Sequence, residues 1–254
     1  MSILNKNDIV FQEQTSFNNL TVIRKGNITT LWSGANKQTE IADGNPPCTR
    51  LEYSQNFFLS LAFHPDPGSI LVLGLGGGAI PTLLHFILEK TVIDVVEIDP
   101  EMPAIAKKYF YFSISERLRL FINDAFFYIR DTDKKYDIVL MDAYIENQLP
   151  GTVDSTAFFA ETTRVLAPGG IFVANLMTVN KEHFENTIER MSGIFKDIRL
   201  LPGLVSTNGL VFAARDRIPS AKMQKKTKTL IKKVPFELNI HKLVGRLEHI
   251  KEKG

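Results

Sequence analysis

The chain has 254 residues, of which 44% are hydrophobic and 23% are charged, and its formal net charge is +2. This composition is typical of a soluble globular protein with one large domain, or one domain and a small appendage. No apolar run reaches the roughly 18 residues of a membrane span, and the N-terminus lacks the apolar block of a secretory signal. Cys48 is the only cysteine, which excludes an internal disulfide and fits a cytoplasmic location.

Residues 1–50 are predicted to form a small β-rich subdomain. Two β-rich runs, Leu20–Arg24 and Ile28–Trp32, are separated by Lys25-Gly26-Asn27, which is typical of a hairpin turn. The stretch 42–49 is rich in proline and glycine and is predicted to be a loop.

Residues 51–215 are predicted to form a Rossmann-like α/β domain that binds a nucleotide. A helix is expected over 51–63, and strands then alternate with helices, which is typical of a doubly wound, mostly parallel sheet. The predicted strands are Ile70–Leu73, Val92–Ile98, Leu118–Ile122, Ile138–Met141, Ile171–Leu176, Ile198–Leu201 and Leu210–Ala214. The predicted helices are Ile80–Glu89, Met102–Phe110, Thr156–Leu166 and Glu182–Phe195. Asn208-Gly209 is a strong turn pair, so the seven-stranded sheet is expected to end in a hairpin with an antiparallel edge strand.

Residues 216–254 form a basic C-terminal tail. From Arg215 to the end there are 12 Lys or Arg and 4 Asp or Glu, so this segment carries a charge of +8. A basic tail is able to bind nucleic acid or an anionic membrane. Aromatic residues that would stack on bases are few, and we therefore favour a solvated, partly disordered end with no nucleic-acid or membrane partner.

The end of the first strand of the α/β domain predicts a nucleotide site. Residues 74–79 read Gly-Leu-Gly-Gly-Gly-Ala between a buried strand and a helix. Glycines let the backbone approach a ligand closely, and the helix N-terminus supplies N–H donors. Glu97 lies 19 residues after Gly78, a spacing typical of an acid that binds ribose hydroxyls. The alternative for Glu97 is a helix cap or a surface acid.

Two further carboxylates follow the next strands of the sheet. Asp124-Ala125 follows the third strand, where an acid and a small residue suit an adenine pocket. Asp142 follows the fourth strand and is delivered to the same crevice, because ligands of such sheets bind beyond the carboxyl ends of the strands. A crevice lined by carboxylates suits a cationic ligand better than one that bears phosphate. The histidines show no metal-ligand spacing, and no metal is expected.

Several runs together carry a family resemblance. The runs ILVLGLGGGAIPTLLH, VVEIDPEM, INDAFFYI, YDIVLMDAY and LAPGGIFVANL occur in this order. They resemble the spermidine synthase family, whose fold is methyltransferase-like. The resemblance covers roughly residues 10–215 and is closest to a divergent branch with a Gly-Leu-Gly-Gly-Gly loop. It implies an α/β transferase of polyamine biosynthesis that needs no metal, and a homodimer.

The resemblance also implies roles for individual residues. The co-substrate would be S-adenosylmethionine or its decarboxylated form, and Asp142 would act as the base beside an acceptor amine that Tyr53 aligns. The implied nucleotide contacts are Gly74, Gly76, Gly77, Gly78, Glu97, Ile98, Asp124 and Ala125. The implied contacts to a small-molecule amine acceptor are Tyr144, Glu146 and Gln55. Residues 152–156 resemble the loop that covers the substrate in this family, and they also suit a connector that caps the following helix.

The sequence departs from the family pattern at three positions. Gly77 stands where the glycine loop normally has an aspartate, Ile145 replaces a second aspartate after the fourth strand, and Gln55 replaces a glutamate. Each change removes negative charge from the place of a diamine cation. Three hypotheses therefore remain: an aminopropyltransferase that uses decarboxylated S-adenosylmethionine, a methyltransferase that uses S-adenosylmethionine, and a nucleotide-binding protein without catalysis.

Overall fold

The computed structural model describes residues 8–145, 148–205, 207–217 and 225–250, which contain two β-sheets. The first sheet has five strands in the order β1-β2-β3-β4-β5, and every neighbouring pair is antiparallel. Its strands are β1 (Ile9–Gln14), β2 (Asn19–Lys25), β3 (Ile28–Ser33), β4 (Asn36–Ala42) and β5 (Cys48–Thr49). The predicted hairpin is confirmed, because β2 pairs with β3 across a turn in which Gly26 has a φ of 60°.

Helical residues link the two sheets. Helix α1 (Glu52–Asn56), a 3-10 turn (Phe57–Leu59) and helix α2 (Ser60–Phe63) follow one another directly, which confirms the helix expected over 51–63. Phe57, Phe58 and Leu59 are buried in the core that this segment shares with both sheets.

The second sheet confirms the Rossmann-like, mostly parallel prediction. Its strand order is β13-β11-β12-β10-β9-β6-β7-β8, and all pairs from β10 to β8 are parallel. The strands are β6 (Ser69–Leu73), β7 (Val92–Glu97), β8 (Leu118–Ile122), β9 (Tyr136–Met141), β10 (Leu166–Met177), β11 (Asp197–Pro202), β12 (Asn208–Ala214) and β13 (Glu248–His249). The helices are α3 (Ala79–Ile87), α4 (Met102–Tyr109), α5 (Ala125–Asp131), α6 (Thr156–Val165), α7 (Lys181–Ser192), α8 (Lys225–Ile231) and α9 (Ile240–Gly245). Within the described ranges, no helix is long and apolar enough to cross a membrane.

The antiparallel part of this sheet differs in detail from the expectation. Strand β12 lies between β10 and β11 and is antiparallel to both, and the short strand β13 forms the edge, antiparallel to β11. The described sheet therefore has eight strands and not the predicted seven. Asn208-Gly209 is not the turn of this hairpin, because both residues belong to β12. Glycine suits position 209 because a Cβ there would lie 2.8 Å from the Leu200 side chain and 3.2 Å from that of Thr178.

Most of the C-terminal segment packs on the protein, so the interpretation as a solvated end is wrong for residues 225–250. Apolar side chains spaced along it are buried in the same core as the strands of both sheets: Leu230, Val234, Leu238, Ile240 and Leu243. The Phe236 ring also contacts the Phe58 ring, with 5.6 Å between their centroids. The charged residues of this segment lie between these apolar positions. The net charge therefore indicated a solvated segment, although its apolar residues form one buried face.

Candidate functional site

A crevice lies beyond the carboxyl ends of β6, β7, β8 and β9. This is the position at which doubly wound sheets bind their ligands. Its walls come from the ends of the parallel strands, from the N-terminal sheet and from the segment after β9. The lining residues are Asn18, Gln38, Gly74, Gly76, Val96, Glu97, Ile98, Met102, Asn123, Asp124, Ala125, Asp142, Ala143, Tyr144, Ile145, Pro150, Thr152 and Val153.

The glycine loop divides into two glycines that face the crevice and two that do not. Gly74 and Gly76 line it with φ angles of 92° and 52°, which only glycine adopts readily. A Cβ on Gly74 would lie 2.2 Å from the main-chain oxygen of Asp142, so this glycine lets β6 and β9 end side by side. Gly77 and Gly78 do not line the crevice, and each packs against side chains on the other side of the loop.

Gly77 faces the N-terminal sheet rather than the ligand space. Its main-chain nitrogen donates a hydrogen bond to Thr39 Oγ1 at 2.9 Å. A Cβ on Gly77 would lie 2.8 Å from Thr39 Cγ2 and 3.0 Å from the Phe110 ring. At the position where the resemblance implied an aspartate, a threonine methyl group and a phenylalanine ring therefore occupy the side-chain space.

Glu97 ends β7 and holds the glycine loop in shape. Its Oε2 accepts a hydrogen bond from the Leu75 nitrogen at 2.7 Å, and its Oε1 accepts one from the Asp99 nitrogen at 2.9 Å. Burial raises the pKa of Glu97, and these two hydrogen bonds oppose the rise by favouring the carboxylate. Glu97 lines the crevice, so it is neither a helix cap nor a surface acid.

Asp124 caps a helix and also lines the crevice. Its Oδ1 caps α5 by accepting hydrogen bonds from the nitrogens of Phe126 at 2.8 Å and Phe127 at 3.3 Å. The residue also lines the crevice, together with Ala125 and Ile98. The part of the crevice at Asp124 therefore lies at the start of α5.

Asp142 lies where the crevice meets a second, smaller cavity. The two cavities share Gln38, Gly76 and Asp142. The smaller one is lined by Gln38, Thr39, Tyr53, Ser54, Leu75, Gly76, Ala79, Ile80 and Asp142. A molecule in the crevice and a molecule in this cavity would therefore meet at the Asp142 carboxylate.

The environment of Asp142 makes its carboxyl group a weak base near neutral pH. Its Oδ1 accepts a hydrogen bond from Asn175 Nδ2 at 2.8 Å. Burial raises the pKa of Asp142 to about 6, and the hydrogen bond from Asn175 opposes the rise by stabilising the charged form. The Tyr53 hydroxyl donates to the main-chain oxygen of Gln38 at 2.9 Å, and burial and the Asp142 charge raise its pKa.

The remaining predicted acceptor residues fall in different places. Tyr144 lines the crevice, but its hydroxyl is engaged with the backbone of β10: it donates to the Asn175 oxygen at 3.1 Å and accepts from the Met177 nitrogen at 3.0 Å. Gln55 lies outside both cavities, because its amide nitrogen donates to the Thr49 oxygen at 2.8 Å. Glu146 lies outside the described residues.

The loop after β9 forms part of the crevice wall, in the segment where the resemblance implied a loop that covers the substrate. Thr152 and Val153 line the crevice, and Thr152 Oγ1 donates to Asp124 Oδ2 at 3.4 Å. Asp154 fastens the loop to α7 through Arg190 at 2.6 Å. Ser155 caps α6, so this loop is also the connector that the alternative interpretation expected.

Sequence reasoning missed three polar residues of the site. Asn18 and Gln38 reach the crevice from the N-terminal sheet, a contact between distant parts of the chain that no local pattern indicates. Asn175 is buried at the end of β10. It is the one polar side chain in the apolar run IFVANLM, and this pattern could have identified it as a candidate site residue.

The charge of the site is one-sided. The described residues that line the two cavities include the acids Glu97, Asp124 and Asp142 but no lysine, arginine or histidine. Nor do the described residues contain a group of three or more side chains arranged to hold a metal ion. The charge of this lining therefore suits a cationic ligand better than one that bears phosphate.

Comparisons with known proteins agree with this geometry. The model of the spermine/spermidine synthase domain matches residues 57–210. The polyamine aminopropyltransferase of Vibrio vulnificus is 32% identical over 199 residues, which are 76% of this chain and 64% of that protein. The chain thus spans less than two thirds of that relative. The human eEF1A lysine and N-terminal methyltransferase is 32% identical over 123 residues, which are 44% of this chain and 18% of that protein.

Solved structures are similar in fold. The spermidine synthase of Thermotoga maritima has a TM-score of 0.70 at 16% identity, covering 94% of this chain and 83% of that one. Human methyltransferase-like protein 13, solved in complex with SAH, has a TM-score of 0.65 at 23% identity, covering 75% of this chain and 95% of that one. Aminopropyltransferases and methyltransferases thus share this fold.

Proposed function

The chain belongs to the spermine/spermidine synthase family, and on this basis we propose that it transfers an aminopropyl group from decarboxylated S-adenosylmethionine to an amine acceptor. The nucleotide occupies the larger crevice, with its ribose at Glu97 and its adenine at Asp124 and Ala125. The acceptor amine enters from the smaller cavity beside Tyr53. The two molecules meet at Asp142.

The observation that carries this proposal is the charge around Asp142. Three carboxylates and no described cation line the two cavities. Decarboxylated S-adenosylmethionine carries a sulfonium and an ammonium and no carboxylate, so every charge on it is of the sign that this site attracts. Intact S-adenosylmethionine adds a carboxylate for which the described lining offers no cationic side chain. Desolvation of an unpaired carboxylate costs several kcal/mol.

The reaction follows from the position and basicity of Asp142. The acceptor ammonium gives a proton to the Asp142 carboxylate, and the neutral nitrogen attacks the aminopropyl carbon next to sulfur. A carbon–nitrogen bond forms as the carbon–sulfur bond breaks, and the sulfur leaves with the electron pair as neutral methylthioadenosine. Alignment of the two substrates supplies most of the rate, and the base contributes about 10² to 10⁴-fold.

A methyltransferase that uses S-adenosylmethionine is the second candidate. One observation favours it: Gly77 brings no aspartate to repel the methionine carboxylate, and the side-chain space there is closed by Thr39 and Phe110. The similarity to a human methyltransferase supports the same alternative. A nucleotide-binding protein without catalysis is the third candidate. The homodimer, the cytoplasmic location and the small-molecule acceptor are parts of the same proposal.

Calorimetry with two nucleotides separates the aminopropyltransferase from the methyltransferase. The full chain is titrated with decarboxylated S-adenosylmethionine and with S-adenosylmethionine, and methylthioadenosine serves as the reference for the shared nucleoside. We expect the decarboxylated form to bind at least tenfold more tightly than the carboxylated form. Preference for the carboxylated form contradicts the aminopropyl proposal and favours the methyltransferase, and failure of all three ligands to bind contradicts both.

A further inference from the structure

Asn175 is a buried polar residue with a defined partner on each side of its amide group. It stands near the end of β10 and is 2% exposed. Its Nδ2 donates to Asp142 Oδ1 at 2.8 Å, and its Oδ1 accepts from Asn208 Nδ2 at 3.0 Å. An asparagine amide has distinct donor and acceptor ends. The bond from Asn208 therefore fixes the amide with its donor end toward Asp142.

The backbone around Asn175 is held as firmly as its side chain. Strand β10 pairs with β9 on one side and with β12 on the other, and Asn175 stands opposite Leu210. Tyr144 bridges the main chain of Asn175 and Met177, which ties the segment after β9 to the end of β10. Asp142 directly follows β9, and Asn175 lies in the neighbouring strand β10. The pairing of β9 with β10 and the two hydrogen bonds of Tyr144 fix their relative position.

We propose that Asn175 is a positioning residue: its amide engages Oδ1 of Asp142 and thereby leaves Oδ2 for the N–H of the acceptor, while Asn208 keeps the amide from turning over. Asn175 lies outside the lining of both cavities and touches no substrate. Its amide therefore acts on the site through its hydrogen bond to Asp142. The inference rests on the proposed function only in naming the reaction that Asp142 serves.

The groups that face Asp142 make its pKa a direct readout of this contact. They are Asn175 on β10, Tyr53 on α1 and Tyr144 after β9. The Tyr53 hydroxyl donates to the Gln38 oxygen, whereas the Asn175 amide donates to the Asp142 carboxylate. A hydrogen bond to the carboxylate lowers its pKa, so loss of the Asn175 donor raises the pKa of Asp142.

The test is a ¹³C NMR titration of the full chain labelled at aspartate carboxyl carbons, with the Asp142 signal identified by its absence in Asp142→Asn. Asn175→Leu, which keeps the size of the side chain, is expected to raise the pKa of Asp142 by about one unit. Asn208→Ala is expected to raise it by less, because the donor remains but is no longer fixed. If the leucine variant fails to fold, the Asn208→Ala titration decides.

The matched control is Thr178→Val. It removes a hydrogen bond just beyond the same strand, from Thr178 Oγ1 to the Thr207 oxygen, and has no contact with Asp142. The pKa of Asp142 is expected to be unchanged in this variant. An unchanged pKa in the folded Asn175→Leu protein, or in Asn208→Ala if that is the variant that folds, overturns the inference.

The titration needs no substrate, so its outcome is independent of the reaction. A shifted pKa in a protein without transferase activity supports the positioning role and contradicts the proposed function. An active protein in which the pKa does not shift keeps the function and loses the positioning role. In an active protein, the acidic limb of kcat/KM is expected to move upward with the pKa in Asn175→Leu, while the affinity for methylthioadenosine stays unchanged.

Discussion

Thr39 Oγ1 accepts a hydrogen bond at 2.9 Å from the main-chain nitrogen of Gly77. This contact joins strand β4 of the N-terminal sheet to the glycine loop of the Rossmann-like sheet. The Thr39 methyl group and the Phe110 ring also occupy the space next to the Gly77 Cα. The loop is therefore supported by the other sheet, at the position where the family resemblance leads one to expect an acidic side chain.

Gly77→Asp is expected to destabilise the protein rather than restore a family site. The new Cβ would lie 2.8 Å from Thr39 Cγ2, so the loop or β4 has to shift. Overpacking of this kind costs about 1–3 kcal/mol, which urea unfolding would measure. Gly151→Asp is the control, since a Cβ at Gly151 has no neighbour within 4 Å. Unchanged stability of Gly77→Asp, with tighter binding of decarboxylated S-adenosylmethionine, would contradict this account.

Substitutions of Asp124 are expected to separate its two roles. Asn is as good a helix cap as Asp, so Asp124→Asn should leave the free energy of unfolding nearly unchanged. It removes the negative acceptor for the adenine amine, and the affinity for methylthioadenosine is expected to fall about tenfold, equivalent to one charge-assisted hydrogen bond. Asp124→Ala should lose that affinity and about 1 kcal/mol of stability. Equal nucleotide affinities of wild type and Asp124→Asn would leave Asp124 with the capping role only.

The pKa of Asp142 predicts how activity depends on pH. Burial raises this pKa to about 6, and the base acts in its charged form. Transfer should therefore be fully developed above pH 7, and kcat/KM should fall about tenfold for each unit below pH 6. Asp142→Asn is expected to lower kcat by about 10² to 10⁴-fold without loss of methylthioadenosine affinity. A flat profile between pH 5 and pH 8 would show that Asp142 is not the base.

Leu238→Ala tests whether the C-terminal segment is part of the fold. Leu238 is 8% exposed and belongs to the main core, so its truncation should cost about 2–4 kcal/mol of unfolding free energy. Lys232→Ala changes an exposed residue of the same segment and is expected to cost less than about 0.5 kcal/mol. Equal stabilities of the two variants would support the solvated tail that the composition indicated.

The strands of the Rossmann-like sheet were predicted well because each is a continuous apolar run that is bounded by residues typical of turns and loops. Helix α5 was missed although Ala125, Tyr128 and Ile129 are buried at helical spacing, since the helix is only seven residues long. The prediction of a turn at Asn208-Gly209 was wrong for a physical reason. Glycine is needed at position 209 because the backbone packs closely against Leu200, and not because the chain turns there. Local patterns do not distinguish these two uses of glycine.

The site was predictable where it depends on strand order and not where it depends on contacts between distant segments. Glu97, Asp124 and Asp142 follow from the rule that strand ends meet at one edge, and the structure brings all three to the crevice. Gln38 reaches the crevice from β4, and Gln55 turns away to bond the Thr49 oxygen. Both outcomes depend on how the N-terminal sheet docks, which leaves no periodic signal in the sequence.

Product analysis tests the central claim most directly. The full chain and Asp142→Asn are each incubated with decarboxylated S-adenosylmethionine or S-adenosylmethionine and a series of monoamines and diamines, and the products are identified by mass spectrometry. We predict that wild-type protein forms methylthioadenosine and an acceptor heavier by one aminopropyl group, only from the decarboxylated nucleotide, and that Asp142→Asn forms almost none. Formation of S-adenosylhomocysteine and a methylated acceptor from S-adenosylmethionine, without methylthioadenosine from the decarboxylated form, would contradict the account.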